Sequence, residues 1–197
     1  VALTSAVAAA TMTGGSAVDT FTGGLLADNI IGNDGDDVLV GGNGSDTISG
    51  GAGDDTVTGS AGGDVMSGGA GSDTFAAQSG TGLVATSTNF AGATVAVGDT
   101  MTFGNGVDVV SDFTAGTGGD VVNVAAVTAE ATLIGQTVAD LGDTHAYWAS
   151  GSWDAASKTF IFLADGAGAD TMVIDSVNAT LDADDVLTTN TSIIILV

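Results

Sequence analysis

Between Gly14 and Ala76 an apolar residue returns every nine positions: Phe21, Ile30, Leu39, Ile48, Val57, Met66 and Phe75. Two residues before each stands an aspartate, in the series Asp19, Asp28, Asp37, Asp46, Asp55, Asp64 and Asp73. Each nine-residue unit opens on glycine, and seven units follow without a gap, from GGSAVDTFT to GGAGSDTFA. Seven in-phase hits at three positions do not arise by chance. They mark a repeat architecture, in which each unit buries its apolar face only by stacking on its neighbours.

Each unit divides into a turn of six residues and a strand of three. The turns hold 18 of the chain's 32 glycines. Glycine enters left-handed backbone regions without steric cost and allows neighbouring chain to approach closely. A three-residue strand is too short to survive alone. Stacked on its equivalent one coil away, it contributes one rung to a thin apolar ladder. Two units make one coil, so equivalent turns lie 18 residues apart. Asp37 then falls over Asp55, Asp46 over Asp64 and Asp55 over Asp73.

That stacking is electrostatically untenable for the chain alone. Residues 14–76 contain ten Asp and no Lys, Arg or His. Two unit charges at about 4 Å repel by roughly 4 kcal/mol at an effective dielectric near 20. A cation must sit between the turns. Carboxylates and glycine-turn carbonyls offer only oxygen, which suits calcium. With no Cys and one His in the chain, zinc and copper are poor candidates, and magnesium demands a tighter octahedron. The choice of acid agrees: 23 Asp stand against one Glu, Glu130, and the short aspartate arm keeps its carboxylate beside the turn backbone. A solvated acidic face is the bland alternative, and the nine-residue phase argues against it.

The unit G-G-x-G-x-D-x-U-x resembles the RTX calcium-binding nonapeptide repeat. The resemblance implies an all-β chain with a right-handed parallel β-roll, several calcium ions, and export through type I secretion machinery. The expected metal residues are Asp37, Asp46, Asp55, Asp64, Asp73, Asp28 and Asp19, with the fourth-position glycines Gly35, Gly44, Gly53, Gly62 and Gly71. The first two units carry Ala17 and Leu26 at that fourth position. Their turns are expected to be looser and to hold metal weakly or not at all.

The expected organisation has three parts: a connector over 1–13 to a missing upstream region, the roll over 14–76, and a β-rich capping and secretion region over 77–197. Val1-Ala2-Leu3-Thr4 does not resemble the start of a secretory signal, which points to a piece of a longer chain. After Ala76, residues 77–98 read as a connector. Strands are expected at Met101–Phe103, Val107–Val110, Val121–Val127, Thr159–Leu163 and Met172–Val177. Phe90, Phe103, Phe113, Tyr147, Trp148, Trp153, Phe160 and Phe162 all fall in this half and are expected to form its own core. Residues 106–122 resemble the DxIxDFxxGxDxI segment that follows the repeats in serralysin-type RTX proteins, with an extra glycine at Gly118-Gly119. Residues 169–187 resemble the last strands of those proteins. The acidic Asp182, Asp184 and Asp185 before an apolar end, Ile193 to Val197, are similar to type I secretion signals; an ordinary final strand is the plainer reading, and both can hold.

Net charge of −23, with Lys158 the sole Lys or Arg, excludes nucleic acid as a partner. No apolar stretch nears 18 residues, so no membrane insertion is expected. The absence of Cys leaves calcium to staple an extracellular protein that has no disulfides. No catalytic motif is present: His145 has no evident partner, and the glycine turns carry aspartate where a phosphate loop needs lysine. Trp148 and Trp153 are expected to pack rather than to stack on sugars. Two functional classes remain. One is an extracellular, non-enzymatic surface-layer (S-layer) or matrix protein that self-associates or anchors to a cell-surface component. The other is the C-terminal secretion module of an RTX exoenzyme, toxin or adhesin. With one Lys, no Pro and no Cys, and heavy use of Ala, Thr, Val, Gly and Asp, the composition resembles that of RTX surface-layer subunits, a resemblance that favours the first.

Overall fold

The computed structural model describes residues 2–4, 8–76, 85–89, 100–103, 107–114, 119–123, 129–132, 145–157, 159–163, 170–175 and 192–196. Every regular element among them is a β-strand. The chain forms two compact units, one of residues 1–78 and 108–123 and the other of residues 79–107 and 124–197.

The first unit is a parallel roll. One sheet runs β1 (Ala2–Thr4), β3 (Thr20–Thr22), β5 (Val38–Asn43), β7 (Thr56–Ala61), β9 (Thr74–Ala76) and β13 (Val121–Asn123). The facing sheet runs β2 (Thr11–Thr13), β4 (Asn29–Asp34), β6 (Thr47–Ala52), β8 (Val65–Ala70) and β12 (Asp108–Val110). Within the nonads the register advances by 18 residues: Phe21 pairs Leu39, Leu39 pairs Val57 and Val57 pairs Phe75. The position-eight side chains Phe21, Ile30, Leu39, Ile48, Val57, Met66 and Phe75 are all buried and form the apolar ladder between the sheets. This ladder buries one apolar side chain per nine residues, and the position-six aspartates beside it are buried as well.

The strands are longer than the expected three residues. From β4 to β8 each spans six, continuing past the position-one glycine into the next turn. The pairing Asn33↔Gly51 and Asp34↔Ala52 carries the ladder round the corner. This needs positive φ at position two, found at Asn33 (77°), Gly42, Gly51, Ser60 (76°) and Gly69.

The roll also reaches further along the chain than the nonads do. Residues 1–13, expected as a connector, contribute two strands in nonad register: Leu3 pairs Phe21 and Met12 pairs Ile30. Met12 is buried like the later rungs. At the other end, Val110 pairs Met66 and Val122 pairs Phe75. Residues 108–123, expected within a separate C-terminal region, therefore extend both sheets of the roll. Phe113, expected in the core of the second half, packs against Phe75 with centroids 6.3 Å apart.

The second unit is an antiparallel sheet in the order β10 (Ala85–Asn89), β11 (Thr100–Phe103), β16 (Thr159–Phe162), β15 (His145–Asp154), β17 (Asp170–Asp175) and β18 (Ser192–Leu196). A further strand, β14 (Ala129–Thr132), pairs β15 in parallel. Phe160 and Phe162 are fully buried, and their rings meet nearly edge-on at 5.4 Å. Gly151 lies opposite them, and a β-carbon there would collide with the Phe160 ring. The expected strands at 101–103, 159–163 and 172–177 find counterparts in β11, β16 and β17, whereas the ten-residue β15 has no counterpart among the expected strands. Most of the 77–98 connector, Lys158, and the acidic residues Asp182, Asp184 and Asp185 lie outside the described residues.

Candidate metal centre

The position-six aspartates form a continuous side-chain ladder. The backbone N–H of Asp19 donates to Asp37 Oδ1 at 2.7 Å, and Asp28 donates to Asp46, Asp37 to Asp55, Asp46 to Asp64 and Asp55 to Asp73 at 2.7–2.9 Å. Each carboxylate thus closes the backbone of the turn 18 residues earlier. Asp37, Asp46, Asp55, Asp64 and Asp73 are at most 1% exposed. This burial follows from the glycines: the position-one residue leaves open the space that the carboxylate fills. A β-carbon on Gly32 would collide with Asp37 Oδ2, one on Gly41 with Asp46 Oδ2, and one on Gly50 with Asp55 Oδ2.

The second oxygen of each carboxylate divides the turns into two kinds. In the first two nonads it is satisfied locally: Gly15 N–H donates to Asp19 Oδ2 at 2.8 Å and Gly24 N–H to Asp28 Oδ2 at 2.7 Å. In the next five, Oδ2 of Asp37, Asp46, Asp55, Asp64 and Asp73 is buried without a hydrogen-bond partner. A buried charged oxygen with no donor is costly. Carbonyl oxygens stand beside three of them. Gly50 O, Gly59 O and Gly68 O lie 2.5–2.6 Å from the points where β-carbons on Gly32, Gly41 and Gly50 would sit.

The fourth-position glycines separate the same two groups. Gly35, Gly44, Gly53, Gly62 and Gly71 have φ between 115° and 148°. Each rests on the turn one coil earlier; a β-carbon on Gly53 would lie 2.5 Å from Gly35 O. Ala17 and Leu26 are absent from the positive-φ residues, so the first two turns have a different backbone.

One edge of the roll carries a second acidic ladder. Asp54 N–H donates to Asp36 Oδ1 at 2.9 Å and Ser72 N–H to Asp54 Oδ1 at 2.8 Å. The equivalent fifth positions of the other edge are Ala27, Ser45 and Gly63. Asp36 and Asp54 are exposed and add charge to the edge that holds Asp37, Asp55 and Asp73.

Burial raises four carboxyls of the position-six ladder, Asp46, Asp55, Asp64 and Asp73. Asp55 is pushed up to about 6, first by burial and then by repulsion from Asp73, Asp37 and Asp36, against the lowering bond from Asp37 N–H. Asp64 is pushed up to about 6, again chiefly by burial, with Asp46 adding repulsion. Asp46 and Asp73 are raised for the same leading reason.

The donor set fits calcium. It consists of buried carboxylate oxygens lacking donors, glycine carbonyls beside them, and backbone free of β-carbons, all hard oxygen groups. Among the described residues no three His, Cys, Asp or Glu side chains converge on one point. A shell there would draw on backbone carbonyls as well as carboxylates.

Two acids of this ladder escaped the sequence reading. Asp64 N–H donates to Asp108 Oδ1 and Asp73 N–H to Asp120 Oδ1, both at 3.0 Å. Their separations of 44 and 47 residues hide them from an 18-residue search. A signal existed in Asp108-Val109-Val110 and Asp120-Val121-Val122, which repeat the Asp-x-apolar tail of a nonad. Asp112 caps the last turn, accepting Gly68 N–H at 3.1 Å and Gly69 N–H at 3.0 Å.

The RTX calcium-binding nonapeptide repeat family matches residues 13–48 and 40–75, so this segment is a calcium-binding RTX repeat array. No curated protein matches the chain significantly. Among solved structures, the chain is similar to the solution structure of the AlgE6R3 subunit from the Azotobacter vinelandii mannuronan C5-epimerase. The identity is 23%, over 92% of this chain and 72% of that one, with a TM-score of 0.24. No helix among the described residues is long and apolar enough to cross a membrane.

Proposed function

We propose that this calcium-binding RTX repeat chain is a non-enzymatic structural module that works outside the cell, where calcium lets it fold and then assemble or anchor. The observation that carries the reading is the row of five buried carboxylate oxygens, Asp37 to Asp73, with no donor in the protein. Asp37, Asp46, Asp55, Asp64 and Asp73 would hold the ions, with the carbonyls of Gly50, Gly59 and Gly68 as neighbouring donors. Calcium, when bound, supplies the positive charge that lets these carboxylates stay ionised inside the roll. The protein's own part is to hold the oxygens in place through the Oδ1 ladder and to keep side chains out through glycine. Asp19 and Asp28, already closed by Gly15 and Gly24, would contribute least.

Two consequences support an extracellular role. A roll that requires calcium stays unfolded where calcium is scarce, which suits passage through a type I secretion channel, and folds where calcium is abundant. Bound ions also offset part of the −23 charge, so acidic copies can approach one another or a cell-surface component. The experiment is self-association of the chain, followed by light scattering and electron microscopy. Assembly should appear with calcium and not with magnesium or with sodium at matched ionic strength. A chain that folds with calcium but stays monomeric at millimolar calcium would support a secretion module instead.

A further inference from the structure

We infer that Asn43 is a site of spontaneous self-modification: in the calcium-free chain its side-chain amide is lost to attack by the Gly44 nitrogen, and the calcium-loaded roll shuts this reaction off. The inference rests on the calcium-dependent folding proposed above and concerns a different residue and a different chemistry.

Position three of a nonad stands directly before the position-four glycine. In the last three nonads it is Ala52, Ala61 and Ala70, whose side chains offer no carbonyl. In the fourth it is Asn43, which is exposed. Among the described residues Asn43 is the one asparagine followed by glycine. Gly44 has φ of 126°, and a β-carbon there would lie 2.6 Å from Leu26 C and from Ala27 N. The stack therefore demands glycine after Asn43, and glycine leaves the Gly44 nitrogen unshielded by any side chain.

The chemistry consumes only water. The Gly44 amide loses its proton, and its nitrogen attacks Asn43 Cγ. The N–Cγ bond forms, the Cγ–Nδ2 bond breaks, and Nδ2 takes a proton and leaves as ammonia. Water then opens the five-membered imide. Cleavage at the new N–Cγ bond leaves aspartate. Cleavage at the original peptide bond leaves isoaspartate, with one extra carbon in the main chain. Either product adds a negative charge three residues before the buried Asp46.

In the roll both sides of this peptide are held. Asn43 N–H donates to Gly24 O at 2.9 Å and Gly44 N–H to Ala61 O at 2.8 Å. Asn43 also pairs Ala61 in the parallel ladder. The attacking nitrogen keeps its proton in that bond, and the paired backbone holds it away from Cγ. Release needs local opening, which calcium makes rarer by stabilising the folded roll. Isoaspartate at this turn displaces both bonds, so a chain modified while unfolded refolds less well.

The test ages the intact chain at mildly alkaline pH, in EDTA or in calcium chloride at matched ionic strength. Peptide mapping by mass spectrometry follows the amide-to-acid mass gain at Asn43. It keeps this peptide apart from Asn105-Gly106, which lies outside the described residues. Loss of the Asn43 amide should be slower in calcium by about tenfold or more. Wild type aged in EDTA should then need more calcium for half-maximal folding than fresh protein. Asn43→Gln, whose longer arm disfavours ring closure, should shift less on the same ageing, since the two chains share every other labile pair. Equal shifts would overturn the link from Asn43 to refolding. The mapping uses wild type alone and stands even if the variant folds poorly. Equal amide loss in the two arms, with calcium still slowing hydrogen exchange of residues 28–57, would overturn the gate alone. Equal loss with that exchange indifferent to calcium would overturn the calcium reading with it.

Discussion

The backbone N–H of Asp37 donates to Oδ1 of Asp55 at 2.8 Å, and Asp55 in turn donates its own N–H to Asp73 Oδ1 at 2.9 Å. Asp55 therefore links the turns on both sides of it while its Oδ2 stays without a donor. Asp19 sits at the edge of the nonads, and its Oδ2 is closed by Gly15. Asp55→Ala should raise the calcium needed for half-maximal folding by at least roughly tenfold, the scale set by outer-shell partners of metal sites. Asp19→Ala should change it by much less. Calcium titrations of the two variants decide the point, and equal losses would count against a central role for Asp55.

Glycine is required at position four by both backbone angle and space. Gly53 has φ of 133°, and a β-carbon there would lie 2.5 Å from Gly35 O. Gly53→Ala should destabilise the calcium-loaded roll by about 1–3 kcal/mol from backbone strain alone. At Gly15 a β-carbon meets nothing within 4 Å, so Gly15→Ala should leave the melting temperature nearly unchanged. Thermal unfolding in saturating calcium compares them.

Protons should partly replace calcium. In the metal-free roll Asp55 and Asp64 are pushed up to about 6 from an ordinary 3.8, mainly by burial. A carboxyl raised on folding favours the folded state when protonated. Its contribution is complete below 3.8 and is lost as pH rises through about 6. In chelator, the roll should therefore gain β-structure on acidification from neutral pH toward 4, and calcium should make it insensitive over the same range. Circular dichroism across that range provides the check; greater metal-free structure at neutral pH than at acid pH would contradict the burial argument.

How much of this was legible depended on where the nine-residue phase survives. Asp37 to Asp73 and Phe21 to Phe75 could be read directly, because one substitution pattern serves both stacking and charge. Met12 and Leu3 could not, because the acid of their units is replaced by Ala10 and Val1, although the apolar rung persists. Asp108 and Asp120 were hidden by an intervening stretch that breaks the register without breaking the stack. The six-residue strands were missed because the ladder turns a corner at glycine, where local propensity argues for a turn. In the second unit, His145–Asp154 has no clean alternation and gains its strand character from pairing with β16 and β17.

At neutral pH the aspartate ladder should form only around calcium. Its amides report this directly, since the N–H groups of Asp28, Asp37, Asp46 and Asp55 all donate to the next carboxylate. Hydrogen exchange of the intact chain should be measured at neutral pH in EDTA, in magnesium and in millimolar calcium. Protection of residues 28–76 in calcium alone, with rapid exchange in EDTA and in magnesium, is the predicted result. Equal protection of those amides in EDTA and in calcium would contradict it.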